Sequence, residues 1–254
     1  NTLAISNVVG SNIFNMMVVI GFCAIMTPVA VQKATLKRDF PYSVFAALLL
    51  MILGGVGMKL GRFDSAVFLV FFAIFIGTMI RMALKAGKEG GQLQSEEIEA
   101  AEAQKVMSMP KSLLFLVVGV AGIVIGGDVV VDSASNIALK IGMSQTLVGL
   151  TIVSIGTSLP ELVTSVVAAR KNEVDMALGN AIGSNIFNIL FILGVTAAIS
   201  PVAFIMENVV DSILLVMVSI LVWVFAWSRL HIEKKEGVVL LACYAGYLIY
   251  ICTR

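Results

Sequence analysis

Charge is the scarcest ingredient of this chain. Only 13% of its 254 residues are Asp, Glu, Lys or Arg, and the net charge is +1. That leaves no basic surface for a nucleic acid and too little polarity to solvate a globule of this size. Histidine occurs once, at His231 within a charged loop, which removes any His-rich metal cluster and favours a solvated side chain. The three cysteines, Cys23, Cys243 and Cys252, lie inside apolar stretches and read as small buried hydrophobes, so no disulfide framework is expected. An intramembrane enzyme lacks support: there is no cysteine nucleophile with a base and no second acid paired with the one buried glutamate. What remains is apolar. With 59% hydrophobic residues and a mean hydropathy of +1.01, the chain reads as a polytopic membrane protein.

Apolar runs of bilayer-crossing length fall at about 4–28, 41–60, 64–84, 112–139, 146–169, 176–200, 208–228 and 237–253. Gly61-Arg62-Phe63-Asp64 forms a tight hairpin between the second and third. The polar stretch 85–111 reads as a linker, with a short surface helix expected at 95–106. Three parts follow: 1–84 with three spans, the linker 85–111, and 112–254 with five spans. Thirteen Lys and Arg fall in the loops on one side, among them Lys33, Arg38, Arg81, Arg170, Arg229 and Lys235. Only Lys59, Arg62, Lys140 and Arg254 fall on the other. The positive-inside rule then places the linker in the cytoplasm and the C-terminus outside, in a multi-pass inner-membrane protein.

The hexapeptide Gly10-Ser11-Asn12-Ile13-Phe14-Asn15 recurs unchanged as Gly183-Ser184-Asn185-Ile186-Phe187-Asn188. Residues 3–30 laid on 176–203 agree at 13 of 28 positions. By the charge assignment the first copy runs inward and the second outward, so the repeats are inverted, as in many secondary transporters. Polar side chains in the middle of such spans are costly unless something binds them. Asn7, Ser11 and Asn15 share one helix face, as do Asn180, Ser184 and Asn188. Asn7, Asn12, Asn180 and Asn185 suit helix packing as well as ligation.

Between the copies, Ser154-Ile155-Gly156-Thr157-Ser158-Leu159-Pro160-Glu161 places a proline and a glutamate in mid-span. Pro160 breaks the helix and frees carbonyl oxygens, which is tolerated at that depth only where they face protein or water. Ser154, Ser158 and Glu161 fall on one face. Carboxylate, hydroxyl and carbonyl oxygens together form the ligand set of a hard cation such as Ca²⁺ or Na⁺. Asp128 and Asp132, one turn apart, fit either a functional pair or a solvated interface. Glu207 and Asp211 are expected to mark a water boundary.

Gly156–Glu161 followed by Gly179–Asn188 resembles the α-repeat of the cation/calcium exchanger superfamily, in its prokaryotic sodium/calcium exchanger-like branch. The resemblance implies an all-α membrane protein with ten helices in two inverted halves, and alternating access by sliding of the first helix of each half. It implies a Ca²⁺ antiporter working against a monovalent cation, Na⁺ foremost, with no cofactor and no catalysis; a cation channel is the alternative. Carried over by motif, Glu161 is the bridging carboxylate and Thr157 gives its backbone carbonyl. Ser158, Ser184, Asn188, Ser11 and Asn15 add oxygens, and Ser154 stands where the family has a small residue contributing its carbonyl. The family's second glutamate would lie before Asn1. Eight of ten helices and one of two carboxylates are then present, and a fragment without the other two helices would not transport. Some members carry Asp where this chain has Asn188, which leaves Na⁺, K⁺ and H⁺ open as counter-ion.

Overall fold

The computed structural model describes residues 2–89, 108–143, 148–171 and 173–253. Among the described residues, seven helices are long and apolar enough to cross a membrane: α1 (Ala4–Met26), α2 (Thr35–Gly57), α3 (Arg62–Lys85), α4 (Met109–Lys140), α6 (Val174–Ile199), α7 (Met206–Arg229) and α8 (Lys234–Thr253). The eighth, α5, is a broken span whose halves, α5a (Thr151–Thr157) and α5b (Leu159–Arg170), meet at 48°. All eight expected spans are therefore present. The second starts earlier than the apolar run suggested, because Thr35–Asp39 adds a π-helical turn carrying Lys37 and Arg38. At the hairpin, the Asp64 carboxylate accepts a hydrogen bond from the Gly61 amide (2.8 Å) and so caps the start of α3. The surface helix expected at 95–106 lies outside the described residues.

Four two-residue strands join the helix ends: β1 (Val29–Ala30), β2 (Lys59–Leu60), β3 (Val202–Ala203) and β4 (His231–Ile232). β1 pairs antiparallel with β4, matching Val29 to Ile232 and Ala30 to His231. β2 pairs antiparallel with β3, matching Leu60 to Val202 and Lys59 to Ala203. Exchanging the two copies of the repeat turns one pairing into the other. Each strand pair is extended by one reciprocal bond, Val31 N to Leu230 O (2.8 Å) and Phe204 N to Met58 O (2.9 Å). Met58 and Leu230 both hold left-handed backbone conformations (φ 47° and 57°) that end α2 and α7 and turn the chain into its strand. Non-glycine residues rarely adopt that conformation, so the matching pair is a further mark of the duplication.

This pairing fixes direction. α1 leads to β1, beside β4, and α2 leaves from that same end of the bundle. α2 spans about 1.5 Å per residue to reach β2, which lies beside β3 and hence beside the end of α6. α1 and α6 therefore end at opposite ends of the bundle. The repeats are inverted, and the fold is an all-α polytopic membrane protein.

α1 is the most enclosed span, with Ile5, Val9, Ile13, Met16 and Ile20 buried, and α6 contributes Ala181, Ile182, Ile186 and Leu190. α4 lies almost wholly on the outside and packs against α5. Its exposed Leu, Val and Phe side chains suit lipid, where close packing rather than water exclusion holds helices together. Two expectations are corrected here. Cys23 is buried, but Cys243 and Cys252 are exposed on the outer surface of α8, because the apolar content of that span serves lipid rather than core. Asp211 is only 3% exposed, one turn beyond Asn208, whose amide reaches Ser6 Oγ on α1 (2.8 Å); only Glu207 is exposed.

A methyl group on Gly54 would meet the Phe204 ring at 2.4 Å, whereas one on Gly55 would meet nothing within 4 Å. Gly54→Ala is expected to cost about 1–3 kcal/mol through overpacking. Gly55→Ala is expected to stabilise slightly, as alanine does in helices. Thermal unfolding of the detergent-purified variants checks this, and a lower midpoint for Gly55→Ala than for Gly54→Ala would contradict it.

Candidate functional site

The site is a closed triangle of α1, α5 and α6. Pro160 has no N–H to offer the Gly156 carbonyl, and the chain turns at Ser158 (φ −102°, ψ 2°) before α5b begins at Leu159. The break places Glu161 in the first turn of α5b, where the helix dipole favours a negative charge. Gly156, just before the turn, is matched to α4: a methyl group there would sit 1.9 Å from Val131 Cγ2.

On the α5–α6 side of the triangle, Ser184 Oγ donates to Glu161 Oε1 (2.9 Å). Asn180 Nδ2 lies 3.0 Å from Thr164 Oγ1, 3.1 Å from Ser165 Oγ and 3.4 Å from the Glu161 carbonyl. It ties the turn after the break to α6. On the α1–α5 side, the buried hydroxyls of Ser11 and Ser158 are 2.6 Å apart. Thr157 Oγ1 donates to Ser154 O (3.0 Å) and reaches toward Asn7 Oδ1 (3.5 Å). Ser154 faces Gly10, where a methyl group would come within 3.3 Å of its hydroxyl. Glycine at that point is what lets α1 approach.

The α1–α6 side is built from asparagine. Asn12 Nδ2 donates to Asn185 O (3.1 Å), and Asn185 Nδ2 donates to Asn12 O (3.1 Å). Around this pair, Asn15 Nδ2 donates to Asn185 Oδ1 (3.0 Å) and Asn188 Nδ2 to Asn12 Oδ1 (3.1 Å). All four bonds map onto one another when the repeats are exchanged. A π-helical segment begins at each outer member of the quartet, Asn15–Val19 and Asn188–Leu193. Such widened turns recur at functional positions.

The eight residues picked from the sequence all lie on the three helices of the triangle: Ser11 meets Ser158, Ser184 meets Glu161 and Thr157 meets Ser154, while Asn15 and Asn188 meet Asn185 and Asn12. Among the described residues, three of their buried oxygens have no hydrogen-bond partner: Asn15 Oδ1, Ser154 Oγ and Glu161 Oε2. Sequence reasoning did not separate out Asn12 and Asn185, which join the repeats. The available signal was their identity in both copies, since a residue on a two-fold axis meets its own equivalent. Asp128 and Asp132 are exposed on α4. Among the described residues, no group of three or more His, Cys, Asp or Glu could hold a metal ion. Apart from the Glu161 carboxylate, the side-chain oxygens that these eight residues bring to the triangle are neutral.

A family model described as sodium/calcium exchanger protein matches residues 1–81 and 111–253. The chain belongs to the sodium/calcium exchanger family. Its relatives include the putative antiporter CaxA of Alkalimonas amylolytica, 36% identical over 96% of this chain and 76% of its own length. The inner membrane protein YrbG of Escherichia coli is 32% identical over 98% of this chain and 76% of its own. The fold matches the sodium-calcium exchanger NCX_Mj soaked with 2.5 mM Na⁺ and 0.1 mM Ca²⁺, with a TM-score of 0.76 and 32% identity, over 96% of this chain and 74% of that one. The chain spans about three quarters of the length of these proteins.

The contact between Ser11 and Ser158 can be tested by stability. Ser158→Ala leaves the Ser11 hydroxyl buried and unpartnered, a loss of about 1–3 kcal/mol. Ser11→Ala/Ser158→Ala is expected to cost less than the sum of the single changes, since no orphan remains. Additive losses in thermal midpoint would mean that the two hydroxyls do not bond.

Proposed function

We propose that Glu161, Ser158, Ser184, Ser11, Asn15, Asn188, Ser154 and the Thr157 carbonyl form the cation site of a secondary antiporter that exchanges Ca²⁺ for Na⁺. The observation that carries this reading is the set of buried, unpartnered oxygens Asn15 Oδ1, Ser154 Oγ and Glu161 Oε2 within the triangle. A buried oxygen without a donor costs about 1–3 kcal/mol, and more when charged. A hard cation bound by oxygens offsets that cost. One of the three belongs to α1 and two to α5, on either side of the α1–α5 contact, so an ion held there would report on how those helices pack.

The two-fold that exchanges Asn12 with Asn185 carries Glu161 to a position outside this sequence, and we place the partner carboxylate of the site there. Two carboxylates would balance one Ca²⁺, and neutral amides and hydroxyls would complete its shell. Residues 1–84 and 112–254 act as the two halves, with 85–111 between them. Lys33, Lys37, Arg38, Arg229, Lys234 and Lys235 adjoin the β1–β4 pair, which supports a cytoplasmic reading of that end by the positive-inside rule. The C-terminus is then external, in the inner membrane. Inversion supports alternating access, because each half offers the same packings with the two sides exchanged.

In the full-length protein reconstituted into Na⁺-loaded vesicles, Glu161→Gln is expected to abolish Ca²⁺ uptake while leaving expression and thermal midpoint near wild type. Neutral glutamine is cheaper than glutamate in a membrane. Wild-type uptake by this variant would remove Glu161 from the site, and uptake that ignores the Na⁺ gradient would point to a channel.

A further inference from the structure

We infer that Asn12 and Asn185 are positioning residues, which set the amides of Asn188 and Asn15 so that each turns its oxygen, and not its nitrogen, toward the cation. The inference rests on the site proposed above.

An asparagine amide has two nearly isosteric ends, and only the oxygen can bind a cation. Its orientation must therefore be fixed by something that distinguishes donor from acceptor. Two backbone carbonyls do so. A carbonyl only accepts, so the 3.1 Å contact with Asn12 O commits Asn185 Nδ2 to face it. Asn185 Oδ1 must then point the other way, toward Asn15 at 3.0 Å, and Asn15 can meet it only with Nδ2. Asn15 Oδ1 is left facing away, and it is buried without a partner. The same steps run on the other side of the two-fold. Asn185 O holds Asn12 Nδ2, Asn12 Oδ1 accepts from Asn188 Nδ2, and Asn188 Oδ1 is turned out. Asn12, Asn15 and Asn185 are at most 1% exposed, so water does not compete for these amides. The clasp therefore does two things with four side chains: it joins the inverted copies, and it passes the polarity of two main-chain carbonyls to two ligand oxygens.

Epistasis separates this from plain packing. Asn185→Leu removes the acceptor that holds the Asn15 amide, so that amide is free to turn its NH₂ toward the ion. Outer groups that orient metal ligands typically contribute 10–100-fold in affinity, and the half-saturating Ca²⁺ concentration is expected to rise by about that factor with a smaller change in maximal rate. Asn15→Asp alone sets a carboxylate against Asn185 Oδ1 and is expected to impair uptake. Combined as Asn15→Asp/Asn185→Leu, the carboxylate has oxygen at both ends and no opposing acceptor, so the double variant is expected to bind Ca²⁺ more tightly than Asn185→Leu. The measurement is Ca²⁺ uptake by the full-length protein in vesicles, with half-saturation and maximal rate determined separately. No rescue, or an Asn185→Leu variant with wild-type half-saturation, overturns the positioning role. If Asn185→Leu does not fold, Asn12→Leu, which removes the acceptor that holds the Asn188 amide, carries the same half-saturation measurement across the two-fold. Failure of Glu161→Gln to affect uptake would instead remove the site itself.

Discussion

The structure turns on the reciprocal bond between Asn12 and Asn185. Each amide satisfies the other helix's main-chain carbonyl at mid-span, where no water is available to do it and an unsatisfied group costs several kcal/mol. Because the two residues are equivalent members of the repeat, the bond can form only where α1 and α6 cross on the two-fold. It therefore sets the position, the register and the relative direction of the two helices together. Ser11 and Ser184 flank that crossing, and their contacts with Ser158 and Glu161 bring both halves of the broken α5 against it.

α5 contributes the asymmetry. A continuous helix would consume its own carbonyls and present side chains alone. The break at Ser158 and Pro160 removes the amide that a continuous helix would offer the Gly156 carbonyl and sets Glu161 at the head of a new helix. Asn180, with three acceptors within reach, limits how far that head can swing. Glycine does the rest by omission. Gly10 lets α1 close on Ser154, and Gly156 lets Val131 of α4 seat directly against the α5 backbone.

Much of this was legible in the sequence. Spans, the break, the inverted repeat and the polar stripes all follow from local composition and from a repeat long enough to align by eye. The early start of α2 was not, because Lys37, Arg38 and Asp39 look like loop until a helical turn carries them. Nor were the four strands, since two-residue segments have no periodicity and their partners lie in the other half of the chain. Burial of Asp211 escaped for a related reason. Hydropathy marks where a span ends but not which face of it meets α1. Asn12 and Asn185 were visible as letters, yet their role depends on their meeting each other, which only a two-fold arrangement supplies.

The strand pairs carry a consequence for biogenesis. Val29 finds its partner at Ile232 and Leu60 finds its partner at Val202, so neither half can complete its own loops. During synthesis α1, α2 and α3 enter the bilayer with the main-chain groups of β1 and β2 still unpaired. They remain so until most of the second half has emerged from the ribosome. Contacts of such long sequence separation form late and slowly. Closure of the loops after α1 and α2 therefore waits on the turns that follow α7 and α6.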